Sequence, residues 1–171
     1  YMKFPYYKPL GYPKGMYRVG PLARLNVASH CGTPLADEEF KSFKKLGKNG
    51  VVQSTFLYHY ARLIETLFCT EKAKEILEDP EICSERVWAK ASANRSEGVG
   101  VAEAPRGTLI HHYQVDEQGI VRQVNMIIAT EHNNLAYNMA VTQVAKEHVK
   151  AKRLTEGMLN RVEAVIRAFD P

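Results

Sequence analysis

The chain changes its hydrophobic period once and then changes back, and that switch limits its fold more than any other feature. Residues 108–115 and 120–129 are rich in β-branched and apolar side chains, and Asp116-Glu117-Gln118-Gly119 between them ends in glycine. Two such runs around a turn predict a β-hairpin. On either side, apolar residues recur at helical intervals. Upstream, Val52, Phe56, Tyr60, Leu63 and Leu67 step along one face, continued by Ala73, Ile76 and Leu77. Downstream, helices are expected over about 132–150, with Leu135, Met139, Thr142, Val144 and Val149 inward, and about 155–168, with Met158, Leu159, Val162, Val165, Ile166 and Phe169 inward. An isolated hairpin is marginal in water, so it must pack on these helices. The expected class is α+β, helix-dominated, with one β-hairpin over about 108–129.

Other punctuation refines this outline. Pro34 suits the first position of a helix that runs through 37–45 and ends near Gly47 to Gly50. Asp79-Pro80 ends the long helix and starts a short one to about Val87. The polar stretch 90–100 reads as a loop. Residues 1–34 are too rich in Pro and Gly for a long regular element. Six tyrosine and phenylalanine rings in the first 17 residues nevertheless need a surface to bury against. That segment is expected to be irregular and packed on a core, or on a part of the protein beyond this chain.

Several function classes are excluded by composition. A net charge of +4 with both signs scattered is too mild for a nucleic-acid binder. Lys41, Lys44, Lys45 and Lys48 cluster beside Asp37, Glu38 and Glu39, as on a solvated helix face. No apolar run reaches the roughly 18 residues of a membrane span. Cys31, Cys69 and Cys83 match no zinc or iron–sulfur spacing, so free, mostly buried thiols in a reducing compartment are expected. His111 and His112 point to opposite faces of a strand, so they do not easily share a metal. His59, in an apolar helix, reads as a packed core histidine.

One turn carries chemistry. In Glu103-Ala104-Pro105-Arg106-Gly107-Thr108-Leu109-Ile110-His111-His112-Tyr113, an arginine sits on a Pro/Gly-bounded turn before a strand. Arginine stays charged at any working pH and offers a rigid fork of five donors. A loop held by a scaffold is where such a group is commonly deployed. A surface arginine at a turn is the alternative.

At these residues the chain resembles the C-terminal half of the large, catalytic subunit of a cytoplasmic nickel–iron hydrogenase, with the NAD-reducing, bidirectional branch as the nearest. Four motifs in order carry the resemblance. They are residues 17–26, Tyr-Arg-Val-Gly-Pro-Leu-Ala-Arg-Leu-Asn; the 103–113 turn; 127–134, Ile-Ile-Ala-Thr-Glu-His-Asn-Asn; and 156–163, Glu-Gly-Met-Leu-Asn-Arg-Val-Glu, followed by 166–171, Ile-Arg-Ala-Phe-Asp-Pro. It covers essentially all of residues 1–171. The chain stops at Asp170-Pro171, which suggests a piece of something larger.

The resemblance implies a nickel and an iron bridged by thiolates, with carbon monoxide and cyanide on the iron. Four cysteines in two Cys-x-x-Cys pairs hold that centre in the family; neither pair is in this chain. Cys31, Cys69 and Cys83 match no ligand position, so the chain alone is expected to bind no nickel or iron and to be inactive. By resemblance, Arg106 stands over the open side of the metals, and Asp170 faces it. Ala104, Pro105 and Leu109 line the pocket around the diatomic ligands. Thr130 donates a hydrogen bond to cyanide, and Ile128 and Ala129 form the apolar wall beside it. Relatives often have proline where Ala129 stands. A magnesium-type ion is bound in some relatives partly through a backbone carbonyl near Met126. Implied partners are a small subunit with iron–sulfur clusters, diaphorase subunits using NAD(P), and dihydrogen; the implied location is the cytoplasm. Splitting dihydrogen into hydride and proton needs a Lewis-acidic metal and a nearby base or oriented charge.

Other readings stay open. The quinone-module subunit of a complex-I-like oxidoreductase shares this ancestry, but there the turn typically reads Pro-Lys-Gly-Glu. Deazaflavin-reducing and heterodisulfide-linked hydrogenases carry similar turns. Taken alone, the chain is also compatible with a scaffold or interaction domain.

Overall fold

The computed structural model describes residues 3–90, 95–150 and 154–171. Five α-helices and three strands follow in the order α1 (Pro21–Val27), α2 (Pro34–Lys45), α3 (Leu57–Leu77), β1 (Glu97–Ala104), β2 (Gly107–Val115), β3 (Val121–Ile127), α4 (Ala129–His148) and α5 (Glu156–Phe169). The class is α+β, as the two periods require.

The core is built by helices. Leu22 and Leu25 of α1, Phe40 and Phe43 of α2, Tyr58, Ala61 and Ile64 of α3, and Val165, Ala168 and Phe169 of α5 are all buried together. Aromatic contacts tie the layers, with Phe169 5.2 Å from Tyr58 and 5.5 Å from Tyr137 between ring centres. The start of α2 is closed from outside. Glu71 of α3 accepts from the amides of Leu35 and Ala36 and from the Thr33 hydroxyl. These bonds, the hydroxyl first, hold the Glu71 carboxyl below its ordinary pKa.

The expected hairpin forms, with Ile110 opposite Ile127 and a bulge at Gln114/Val115. It is two-thirds of a larger sheet. β1 pairs with β2 along its whole length, from Glu97–Gln114 to Ala104–Gly107, giving the antiparallel order β1-β2-β3. The loop expected at 90–100 is therefore overturned for 97–100; residues 91–94 lie outside the described residues. Two glycines and two alanines in Glu97–Ala104 hid this strand, because such residues have little β-propensity of their own. Pairing with β2 supplies what local sequence lacks.

Other differences are about facing. The long helix starts at Leu57 rather than near Val52, and Phe56, Leu63, Ile76 and Leu77 are exposed. On α4 the packed residues are Ala136, Tyr137, Ala140, Val141 and Val144, while Met139 and Thr142 point outward. Leu159 of α5 is exposed too. Both α3 and α4 carry apolar residues around much of their circumference, so the neighbours choose the buried face. The short helix after Pro80 is one 3-10 turn, Pro80–Cys83. His59 is exposed rather than packed, as are Cys69 and Cys83; Cys31 is half-buried, and all three thiols are free. The N-terminal segment is irregular until α1, and Phe4, Tyr6, Tyr7 and Tyr12 remain largely exposed.

Candidate functional site

The Ala104-Pro105-Arg106-Gly107 turn is the two-residue connection between β1 and β2, so Arg106 stands at a hairpin tip. A second segment, Val19-Gly20, lies against it. A Cβ on Gly20 would come within 2.7 Å of the Arg106 carbonyl oxygen, and one on Gly107 within 2.3 Å of Val19 Cγ2. Both glycines also have positive φ, 94° and 137°, where a side chain is strained. Glycine at both places lets the two backbones touch.

Val19 is held in turn from α4 and α3. Its amide donates to Asn133 Oδ1 at 2.9 Å, and its carbonyl accepts from Asn133 Nδ2 at 3.4 Å and from the Tyr58 hydroxyl at 3.0 Å. Burial pushes the Tyr58 phenol up to about 12, so it remains a donor. Next to Asn133, His132 is 4% exposed. Its Nδ1 lies 2.5 Å from the Tyr17 hydroxyl, and its Nε2 is buried with no partner among the described residues. Burial lowers the His132 pKa and raises that of Tyr17. The start of α4 therefore meets the hairpin tip through Val19, at one end of the sheet.

Arg24 of α1 secures the tip from the other side. It donates twice to Glu65 of α3, at 2.7 and 2.6 Å, and once to Glu103 at 2.5 Å. It also donates to the carbonyls of Ala104 at 2.9 Å and Pro105 at 2.8 Å. Burial alone would lower its pKa, but the bonds to Glu65 and Glu103 outweigh that and raise it. Glu103 accepts from the Thr108 hydroxyl as well, which closes the base of the turn.

Arg106 and Asp170 meet. The Arg106 Nε donates to the Asp170 carbonyl at 2.7 Å and lies 3.1 Å from Asp170 Oδ2. Asp170 sits in the left-handed region at the end of α5, with φ 52° and ψ 58°. Ala104, Pro105 and Asp170 border an open cleft of about 550 Å³, with Arg24, Glu65 and Cys69 on its other walls. Leu109 and Thr130 are half-buried, Ala129 is buried and Ile128 is 44% exposed. Ile128, Ala129 and Thr130 lie at the same end of the sheet but border no part of that cleft. The Thr130 hydroxyl makes no hydrogen bond among the described residues.

The donors present decide the metal expectations. Among the described residues no three His, Cys, Asp or Glu side chains gather as a metal site. The chain therefore does not by itself hold a nickel–iron centre. The Met126 carbonyl accepts from the Lys3 ammonium, which also reaches Asn125 Oδ1. One carbonyl that already faces a cation does not make a magnesium site. Among the described residues no helix is long and apolar enough to cross a membrane.

Arg24, Glu65, Asn133 and Tyr58 were not singled out by sequence reasoning. Arg24 and Asn133 fall inside the motifs quoted above, which was the available signal; Glu65 and Tyr58, in an ordinary helix, had none.

Comparison with known proteins agrees with this arrangement. The pattern of the family described as nickel-dependent hydrogenase matches residues 1–171. An F420-non-reducing hydrogenase of Methanothermobacter thermautotrophicus is 45% identical, over all of this chain and 36% of its own length. The beta subunit of the NAD-reducing hydrogenase HoxS of Cupriavidus necator is 44% identical, again over all of this chain and 36% of its own length. A solved NAD+-reducing [NiFe]-hydrogenase in the H2-reduced state superposes with a TM-score of 0.90 at 44% identity, over 99% of this chain and 38% of that one. The chain thus spans about a third of the length of the relatives it matches. It belongs to the nickel-dependent hydrogenase family.

Proposed function

We propose that residues 1–171 are the C-terminal portion of the large subunit of a cytoplasmic nickel–iron hydrogenase that reversibly oxidises dihydrogen. The carrying observation is the Arg106–Asp170 pair, fixed at a hairpin tip beside an open cleft. In the parent protein the metal centre, with its carbon monoxide and cyanide, supplies the Lewis acid that polarises dihydrogen. Its thiolate ligands come from outside this chain.

The chain's own part is positional. Arg106 presents an always-charged planar fork, and Asp170 fixes that fork's direction. Such a preorganised charge acts on developing charge far more strongly in a water-poor pocket than in water. Ala104, Pro105, Leu109, Ile128 and Ala129 supply apolar surface that keeps the pocket dry, and Thr130 keeps a hydroxyl for an acceptor such as cyanide. Electrons would leave through a small iron–sulfur subunit to diaphorase subunits using NAD(P). The 45% identity to an F420-non-reducing hydrogenase, beside 44% to the NAD-reducing one, keeps the heterodisulfide-linked branch as the second reading of the electron acceptor.

The test is Arg106→Lys in the metal-replete parent enzyme, with nickel and iron measured in the same sample. Lysine keeps the charge and loses the planar fork. A lost oriented donor of this kind costs about a hundred- to thousand-fold in rate. Full turnover at full metal content would reject this role for Arg106.

A further inference from the structure

We infer that Arg24, Glu65 and Arg62 are positioning residues that set the geometry of the Arg106–Asp170 pair, with α3 as the common reference. This rests on the role proposed above for Arg106. The Arg24 guanidinium has five N–H donors, and its five hydrogen bonds use the whole set: two to Glu65, one to Glu103, and one each to the carbonyls of Ala104 and Pro105. Those carbonyls belong to the two residues just before Arg106, so they fix the direction in which Arg106 leaves the backbone. The bidentate grip on Glu65 ties Arg24 to α3.

The other half of the pair is tied to the same helix. Arg62, one turn before Glu65 and on the same face, donates to the Ala168 carbonyl at 3.2 Å. Ala168 lies two residues before Asp170, at the end of α5. Glu65 through Arg24 thus locates the hairpin tip, and Arg62 locates the segment bearing Asp170. The side chains of Arg24 and Glu65 are only about a quarter exposed, 25% and 22%, so water does not loosen the grip. A lysine at 24 has three donors on one nitrogen and cannot serve a carboxylate and two carbonyls in three directions. Misplacing a reacting group by about 1 Å costs on the order of a hundred-fold in rate.

The experiment is a double-substitution cycle in the metal-replete parent enzyme, with nickel and iron quantified in every sample. Arg24→Lys is expected to lower hydrogen turnover by about a hundred-fold at unchanged metal content and unchanged KM for dihydrogen. Amide hydrogen exchange should speed up at residues 103–107 and not elsewhere in the core. In an Arg106→Lys background, Arg24→Lys should have little further effect, because a positioning residue acts only through the group it positions. Multiplicative losses in the double variant, or full turnover in Arg24→Lys, would overturn the inference while leaving the Arg106 reading intact. Full turnover in Arg106→Lys alone would instead reject that reading. If Arg24→Lys fails to assemble with metal, Glu65→Gln carries the same cycle, since glutamine keeps the size and loses one of the two acceptors.

Discussion

Arg106 Nε lies 2.7 Å from the backbone carbonyl of Asp170 and 3.1 Å from its carboxylate, across 64 residues of sequence. The carbonyl takes the shorter contact, so the main chain of Asp170 is as much a partner as its charge. This predicts that Asp170→Asn changes stability by less than about 1 kcal/mol, as for exposed ion pairs generally. Hydrogen turnover of the parent should fall by less than in Arg106→Lys, because the carbonyl still orients the fork. Thermal unfolding and hydrogen-uptake kinetics on the same preparation measure both.

Gly107→Ala should be strongly destabilising. The new Cβ would stand 2.3 Å from Val19 Cγ2 and 2.9 Å from the Gly20 amide nitrogen, at a φ of 137°. Overpacking and backbone strain together are worth about 2–5 kcal/mol. A shift in denaturation midpoint corresponding to less than about 1 kcal/mol would show that the two segments do not interlock.

Asn133→Ala removes the acceptor from a buried amide. The Val19 N–H loses its partner, while the Val19 carbonyl keeps Tyr58. The expected cost is about 1–3 kcal/mol. Asn133→Asp should cost less, since its carboxylate still accepts from the Val19 amide. Chemical denaturation of the three proteins side by side gives the order.

Mild acid should destabilise the fold through His132. Burial holds its pKa below the ordinary value of 6.5. The unfolded chain therefore binds the proton first, and stability falls as pH drops below about 6.5, levelling off once pH is below the folded pKa. Above 6.5 the group contributes no slope. The carboxylates with lowered pKa, Asp37, Glu71 and Glu97, act in the same direction only at lower pH, near and below the ordinary carboxylate range. A His132→Gln variant should show a flatter stability profile between pH 6.5 and 5; an unchanged slope would place the sensitive group elsewhere.

Purified alone, residues 1–171 should hold far less than one nickel or iron per chain. Cys31, Cys69 and Cys83 include no Cys-x-x-Cys pair, and stable thiolate sites need close ligand spacing. Elemental analysis after dialysis checks this, and one tightly held nickel per chain would contradict it.

The sequence alone determined the order of elements, the hairpin at 108–129, the Pro/Gly-bounded turn that presents Arg106, and the family. Each of these is local: a period, a turn residue, or a contiguous motif. It did not determine β1, whose glycines and alanines form a strand only because β2 offers a full ladder of partners. Nor did it fix which faces of α3 and α4 are buried, since apolar residues surround both helices and the packing neighbours decide. The site followed the same division. Arg106 and Asp170 were legible as residue types, but the grip of Asn133 on Val19 and of Arg24 on Glu65 joins positions 114 and 41 residues apart. Hydrogen bonds at such separations leave no periodic trace in a chain; they exist only once the core has brought α1, α3 and α4 together, and tertiary packing is therefore what turned a legible arginine into an oriented one.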